Sequence, residues 1–118
     1  KAYQAGLYMG GKLSELEEKH KSVGLVKGSG QFWQVELVKN KETREPFIVV
    51  DRNNDFSGDL SQWPTSIVEA KAAEKGVVLG GFQPNTLRMG ASLEVTKDEI
   101  DQMIEALDYA LDYLDSLI

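Results

Sequence analysis

The sequence predicts an α+β fold, an α/β sandwich in which helices pack on one face of a small, mainly antiparallel sheet. The first observation is the alternation of apolar and polar residues at positions 33–37 and 86–89, which is typical of strands with one buried face. The second is the three- and four-residue spacing of apolar residues at positions 9–16 and 100–118, which is typical of helices. Because each such element has one apolar side, residues 1–118 are expected to form a single domain with one core.

The first element is predicted to be an amphipathic helix that ends near His20. Its apolar side is made of Met9, Leu13 and Leu16. Three glycines interrupt it, and each costs about 1 kcal/mol relative to alanine in a helix, so they indicate a bend or a close packing contact. These glycines are Gly6, Gly10 and Gly11. His20 is interpreted as a residue of the last turn, where the helix dipole favours a cation, and not as a catalytic base.

A strand is predicted next, with Trp33, Val35 and Leu37 on its buried face. The apolar stretch at 23–26 leads into it through the glycines of residues 28–30. A phosphate-binding loop would place a lysine and a serine or threonine after such glycines, followed by a helix, and the sequence has neither. The glycines are therefore interpreted as turn or bulge residues.

Short elements are predicted in the middle of the chain. Residues 47–50 form an apolar run that is interpreted as a second strand. Residues 51–58 are interpreted as a polar loop, which lacks the glycine and the distal glutamate of a calcium site. A short helix is then expected to open at residues 63–65 and to end at a left-handed cap on Gly76.

Residues 77–79 and 86–89 are interpreted as two strands that pair as a hairpin. In the second strand, Leu87 and Met89 are expected to face the core. Arg88 then points the other way, towards solvent or into a binding site. Arg88 is the candidate binding residue of this sequence.

The last helix has the clearest local signal. Thr96 and Glu99 form a capping-box sequence, in which the two side chains satisfy backbone donors left free at the helix start. One apolar stripe follows, made of Ile100, Met103, Ile104, Leu107, Leu111, Leu114 and Ile118. The acids of this helix account for the net charge of −6, and they are interpreted as a solvated helix face.

Composition argues against several classes of function. The chain has no cysteine and one histidine, so no metal site is expected, and a reducing, cytoplasmic location fits. No basic stripe of the kind that binds nucleic acid is present. No apolar stretch has the length needed to span a membrane or the position of a signal peptide. Neither a nucleic acid nor a membrane is therefore expected as a partner.

Five segments resemble, in order, the C-terminal small domain of class III aminotransferases, a fold type I family that uses pyridoxal phosphate. These segments are residues 13–20, 23–38, 76–79, 85–88 and 93–101. The first two resemble the helix, glycine turn and strand with which that domain begins, and the others resemble its closing part. The resemblance covers nearly the whole chain. It departs from the family at Lys27, where arginine is usual, and at residues 90–92, where prolines are typical.

The resemblance implies a fragment of a longer, usually homodimeric enzyme, which moves an amino group between an amine or amino acid and a keto acid. It places the lysine that binds pyridoxal phosphate, and the acid that pairs with the pyridine nitrogen, in an upstream large domain. That large domain is the expected partner of this one. No catalytic or cofactor-binding residue is expected in this chain, and the fragment alone is expected to bind no pyridoxal phosphate.

The resemblance also gives Arg88 a role. The matching arginine of the family lies at the active-site mouth and binds a substrate carboxylate, so the domain is expected to contribute to substrate recognition and active-site closure. A guanidinium suits this task because its planar fork pairs with a carboxylate in bidentate geometry. The alternative is an ordinary surface arginine, or one paired with a nearby acid such as Glu94.

Two other functions are compatible with the residues alone. A stand-alone binding or regulatory module would use Arg88 and the exposed face around Gln34 and Glu36. A complete small enzyme would have few residues from which to build a catalytic site. If the chain is a domain of a larger enzyme, residues 2–9 and Phe32 are candidates for an apolar surface that the large domain covers.

Overall fold

The computed structural model describes residues 2–29, 32–47, 63–77, 79, 85–90 and 96–118. Within these residues lie three helices and three strands. In chain order they are α1 (Ala2–Lys19), β1 (Val23–Ser29), β2 (Phe32–Leu37), α2 (Pro64–Ala73), β3 (Thr86–Gly90) and α3 (Lys97–Asp115). The strands form one antiparallel sheet in the order β1-β2-β3. The predicted α+β class is confirmed.

One face of the sheet meets the helices. Val35 and Leu37 of β2 and Leu87 of β3 are buried, and they belong to one core cluster with the apolar sides of the helices. The helical members of this cluster are Met9, Leu13, Leu16, Val68, Ala72, Ile100, Ile104, Ala106, Leu107, Ala110, Leu111 and Leu114. The spacing of apolar residues in the sequence therefore identifies the core-facing side of these elements.

Strand β3 pairs with β2. The prediction of a hairpin between residues 77–79 and 86–89 is wrong for the residues that the structure describes. Val77 and Leu79 are not in strand conformation, and the residue between them lies outside the described residues. The N–H of Val77 donates to the Ala72 carbonyl at 3.2 Å, which closes the end of α2. Leu79 is buried in the core. Residues at both positions thus have roles other than strand pairing.

Two other expectations concern the middle of the chain. Gly76 has a φ of 79°, so the predicted left-handed cap is confirmed. Phe47 packs against the core but lies in a bend and not in a strand. The rest of its apolar run and the polar loop, residues 48–58, lie outside the described residues.

A close contact between α1 and β2 explains one of the helix glycines. A Cβ atom added at Gly10 would overlap the indole ring of Trp33. A Cβ atom at Gly11, one residue further on, would meet nothing within 4 Å. The close packing contact predicted for these glycines is therefore present at Gly10.

The capping box predicted at the start of α3 is present. The Thr96 hydroxyl oxygen accepts from the Glu99 N–H at 3.1 Å, and the Glu99 carboxylate accepts from the Thr96 N–H at 3.0 Å. Each side chain satisfies a backbone donor that the first helical turn leaves free. Local sequence thus fixes where α3 begins.

Candidate functional site

The sheet face opposite the helices carries the predicted binding residue. Leu87 and Met89 are 0% and 3% exposed, whereas Arg88 between them is exposed. In the register of the sheet, Arg88 lies opposite Gln34 of β2, and Gln34 lies opposite Lys27 of β1. Residues directly opposite in an antiparallel pair share one face. Lys27, Gln34 and Arg88 therefore form a row across the open face, which we call the cationic row.

The cationic row has no acidic partner among the described residues. None of the ion pairs found there involves Lys27 or Arg88. Glu36 lies in the neighbouring row of the same face, and its carboxylate pairs with Arg44 at 3.4 Å. Glu94, the acid considered as a partner of Arg88, lies outside the described residues. The row thus presents positive charge to solvent.

An open cleft of about 530 Å³ adjoins the Arg88 side of the row. Among the described residues, Phe32, Trp33, Gln34, Arg88 and Met89 line it. Phe32 is 75% exposed. The cleft therefore combines aromatic surface with an amide and a guanidinium, and a guanidinium can bind an anionic group.

A second polar cluster joins the end of α1 to α3. His20 is 1% exposed, and its Nδ1 and Nε2 lie 2.6 Å from the carboxylates of Asp115 and Asp108 respectively. Each ring nitrogen of this buried histidine therefore has a carboxylate of α3 within hydrogen-bond distance. The His20 N–H bonds to the Leu16 carbonyl at 2.9 Å, which places His20 at the end of α1 as predicted. These two hydrogen-bonding acids, and Asp112 with an oxygen 3.7 Å from Nδ1, were not identified from the sequence as partners of His20.

The same two acids bind further donors. Asp108 accepts from the Lys19 ammonium at 2.9 Å, and Asp115 accepts from the Ser22 N–H at 3.0 Å and from its hydroxyl at 2.6 Å. Their side chains are 31% and 19% exposed. The interpretation of the acids of α3 as one solvated face is therefore wrong at these positions. Their seven-residue spacing, which puts both on one side of a helix, was the signal available in the sequence.

This cluster also has the spacing of a metal site. His20, Asp108 and Asp112 place ligand atoms within 4.8 Å of one another. However, both nitrogens of His20 already face carboxylates, and the Lys19 ammonium lies against Asp108. A divalent cation would have to compete with the Lys19 ammonium and the His20 ring for these carboxylates. The contacts therefore describe a network of ion pairs that holds α1 against α3.

The described lysines lack the environment of a lysine that bonds to an aldehyde cofactor. Such a lysine needs a lowered pKa, which burial or a neighbouring cation provides. Hydrogen bonds to Asp108 and to Glu74 raise the pKa of Lys19 and of Lys71 respectively. None of the described lysines is buried. The described residues therefore do not fit pyridoxal phosphate by themselves.

Comparisons with protein families and curated proteins agree with one another. The family profile described as "Aminotransferase class-III" matches residues 1–111. The chain is 31% identical over 112 residues to the mitochondrial alanine–glyoxylate aminotransferase 2 homolog 2 of Arabidopsis thaliana, covering 93% of this chain and 20% of that protein. It is 33% identical over 106 residues to the hypotaurine/taurine–pyruvate aminotransferase of Paracoccus denitrificans, covering 84% of this chain and 20% of that protein.

Solved structures give the same result. An S-selective transaminase from Arthrobacter sp. is 49% identical with a TM-score of 0.87, and the match covers 98% of this chain and 25% of that one. An S-selective transaminase from Bacillus megaterium is 48% identical with the same TM-score of 0.87, covering 98% of this chain and 24% of that one. The chain thus spans between 20% and 25% of the length of these relatives.

Proposed function

Because the chain belongs to the class III aminotransferase family, we propose that residues 1–118 form the C-terminal small domain of a longer, pyridoxal-phosphate-dependent aminotransferase. The parent enzyme transfers an amino group between an amine or amino acid and a keto acid. Support comes from the coverage, since the match to the Arthrobacter transaminase takes in 98% of this chain but 25% of that one.

Amino-group transfer is one of several reactions in the relatives of this chain. Two relatives at 28% identity are a leucine/methionine racemase of Thermococcus litoralis and an ethanolamine-phosphate phospho-lyase homolog of Caenorhabditis elegans. The higher identity of 49% to a transaminase favours transfer. A stand-alone module or a complete small enzyme is less favoured, because the matching segment belongs to much longer proteins.

The residues present indicate which steps belong to this chain and which belong to the large domain. Pyridoxal phosphate supplies an electron sink next to the reacting amine carbon. We assign the residues that hold the cofactor to the large domain, because the described lysines do not suit that role. The part played by this chain is to bind and orient the substrate, and the residue proposed for that role is Arg88.

One observation carries this role: Arg88 is an exposed cation that has no ion pair among the described residues and borders a cleft. Its guanidinium pairs with a carboxylate through two parallel hydrogen bonds and stays charged at any working pH. A substrate carboxylate would therefore be held at a fixed distance from the reacting carbon. An amine without a carboxylate gains nothing from this contact.

Arg88→Ala in the full-length enzyme tests the proposal. We expect the KM for carboxylate-bearing donors and acceptors to rise about 10- to 150-fold, the equivalent of roughly 1.5–3 kcal/mol for a lost charged hydrogen bond. Simple amines serve as the internal control, and their KM should change less than about twofold. If the kinetics for both substrate types stay unchanged, Arg88 has only a structural role.

The large domain is the proposed partner of the exposed apolar side chains. Phe32 and Leu7 are 75% and 52% exposed, and Tyr8 is half-buried. Met9 belongs to the core, so the candidate surface is narrower than residues 2–9. The side chain of Tyr3 lies outside the described residues. Contact with the large domain would remove these apolar groups from water.

We propose a homodimeric parent enzyme in the cytoplasm. The dimer is supported by the family resemblance, and the location by a sequence without cysteine. Among the described residues, no helix is long and apolar enough to cross a lipid bilayer. Gel filtration of the full-length enzyme with light scattering tests the dimer, and a monomeric mass would contradict it.

A further inference from the structure

The cationic row extends beyond Arg88 over all three strands. Neighbouring strands lie about 4.8 Å apart, so the backbones at Lys27 and Arg88 are roughly 10 Å from each other, with Gln34 midway. Side chains directly opposite on one face of an antiparallel pair have Cβ atoms about 5 Å apart. The long side chains of Lys27 and Arg88 can therefore converge over Gln34.

The positive charges of Lys27 and Arg88 make the cationic row electrostatically unfavourable unless an anion binds to it. Two cations that converge over one neutral residue repel each other. Glu36 borders the same groove as Lys27 and Gln34, but its carboxylate is paired with Arg44. No acid among the described residues forms an ion pair with Lys27 or Arg88. The row is therefore a local positive site on a chain whose net charge is −6. An anion between the two cations would balance their charge.

We infer that Lys27 and Gln34 bind the substrate carboxylate together with Arg88. This inference rests on the role proposed above for Arg88. When a guanidinium pairs with both carboxylate oxygens, each oxygen keeps a second acceptor site. The Gln34 amide N–H donates to one of these sites, and the Lys27 ammonium adds positive charge on the far side of the anion.

Gln34 is the residue of this row that determines specificity. Its amide donates a hydrogen bond without carrying a charge, so the guanidinium of Arg88 stays free for the substrate. A glutamate at the same position would lie directly opposite Arg88 and pair with it. The isosteric change Gln34→Glu therefore removes the amide N–H that donates to the substrate carboxylate. It also adds a carboxylate that competes with the substrate for Arg88.

Gln34→Glu in the full-length holoenzyme is the main test. We expect the KM for carboxylate substrates to rise at least about tenfold, while kcat and the KM for simple amines stay within about twofold. Gln34→Leu, which removes the donor without adding charge, should raise the same KM by about two- to tenfold. Gln102→Glu, the same change at an exposed position of α3, is the matched control and should leave all constants unchanged.

Lys27→Met tests the outer cation. The KM for carboxylate substrates should rise about two- to fivefold, and the rise should shrink at high salt, because an exposed charge is screened. Lys27→Arg should restore the wild-type KM. Lys39→Met, at another exposed lysine, is the control.

The variants separate the two proposals. If Arg88→Ala has no effect, the carboxylate-binding role of Arg88 is wrong. If Arg88→Ala raises the KM for carboxylates but neither Gln34→Glu nor Lys27→Met does, Arg88 acts alone and the inference is overturned. Gln34→Glu added to Arg88→Ala should have a smaller effect than in the wild-type background, since its competitor action needs the arginine. Thermal unfolding of each variant identifies any that fail to fold. If Gln34→Glu does not fold, the effect of Gln34→Leu on the KM for carboxylate substrates decides whether Gln34 takes part in binding.

Discussion

Asp108 is a half-buried carboxylate that the fold keeps ionised. Burial raises the pKa of its carboxyl group, but the hydrogen bonds from Lys19 and His20 lower it, and the net result is a pKa below the usual 3.8. A carboxyl group whose pKa is lower in the folded chain stabilises the fold above its unfolded pKa. This contribution is lost as the pH falls through the folded value. The ion pairs of Asp108 are therefore an acid-sensitive link between α1 and α3.

Asp108→Asn should destabilise the chain at neutral pH and matter progressively less as the pH falls below 3.8. At low pH the Asp108 carboxyl group of the unsubstituted chain is protonated and uncharged. It then resembles the asparagine of the variant, which is uncharged at every pH. Urea denaturation at a series of pH values measures the difference. Glu105→Gln, at an exposed position of the same helix, is the control. A stability difference that does not depend on pH would contradict the prediction.

At the scale of elements, α1 packs against β2 through a contact between Gly10 and the Trp33 ring. Gly10→Ala should destabilise the chain by about 1–3 kcal/mol, because the new methyl group overlaps the Trp33 ring. Gly11→Ala is the matched control: its methyl group meets nothing within 4 Å, and alanine in place of glycine favours a helix by about 1 kcal/mol. Opposite changes in the urea midpoint are therefore expected for adjacent residues. Stabilisation by both variants would show that Trp33 moves aside without cost.

Local patterns predicted the elements better than their pairing. Alternation identified the strand at β3 and the outward direction of Arg88, because side-chain direction repeats every two residues. It did not identify β2 as the partner, since strand pairing depends on residues distant in sequence. The cationic row required the register and was not available from the sequence. The contact between Asp108 and His20 was likewise not available from local patterns, because the two residues are 88 positions apart.

At the scale of the whole molecule, the domain is expected to depend on its parent enzyme for chemistry. The isolated chain should bind no pyridoxal phosphate and catalyse no transamination, because its described lysines are exposed or half-buried and hydrogen bonds raise the pKa of Lys19 and of Lys71. Titration of the chain with the cofactor, followed by visible absorption, measures this, with the full-length enzyme as the positive control. A saturable band that disappears when one lysine is substituted would contradict it.

The cluster around His20 has a consequence for biosynthesis. At roughly 5–20 residues per second, the ribosome needs about 4–18 s to add the 88 residues that separate His20 from Asp108. During that time α1 has been synthesised, but Asp108 and Asp115, the acids that hydrogen-bond to His20, have not. Closing so long a loop carries a large entropic cost, which packing of α3 has to offset. The nascent domain therefore completes its fold only after translation has reached Asp115, the last residue of α3 and the second partner of His20.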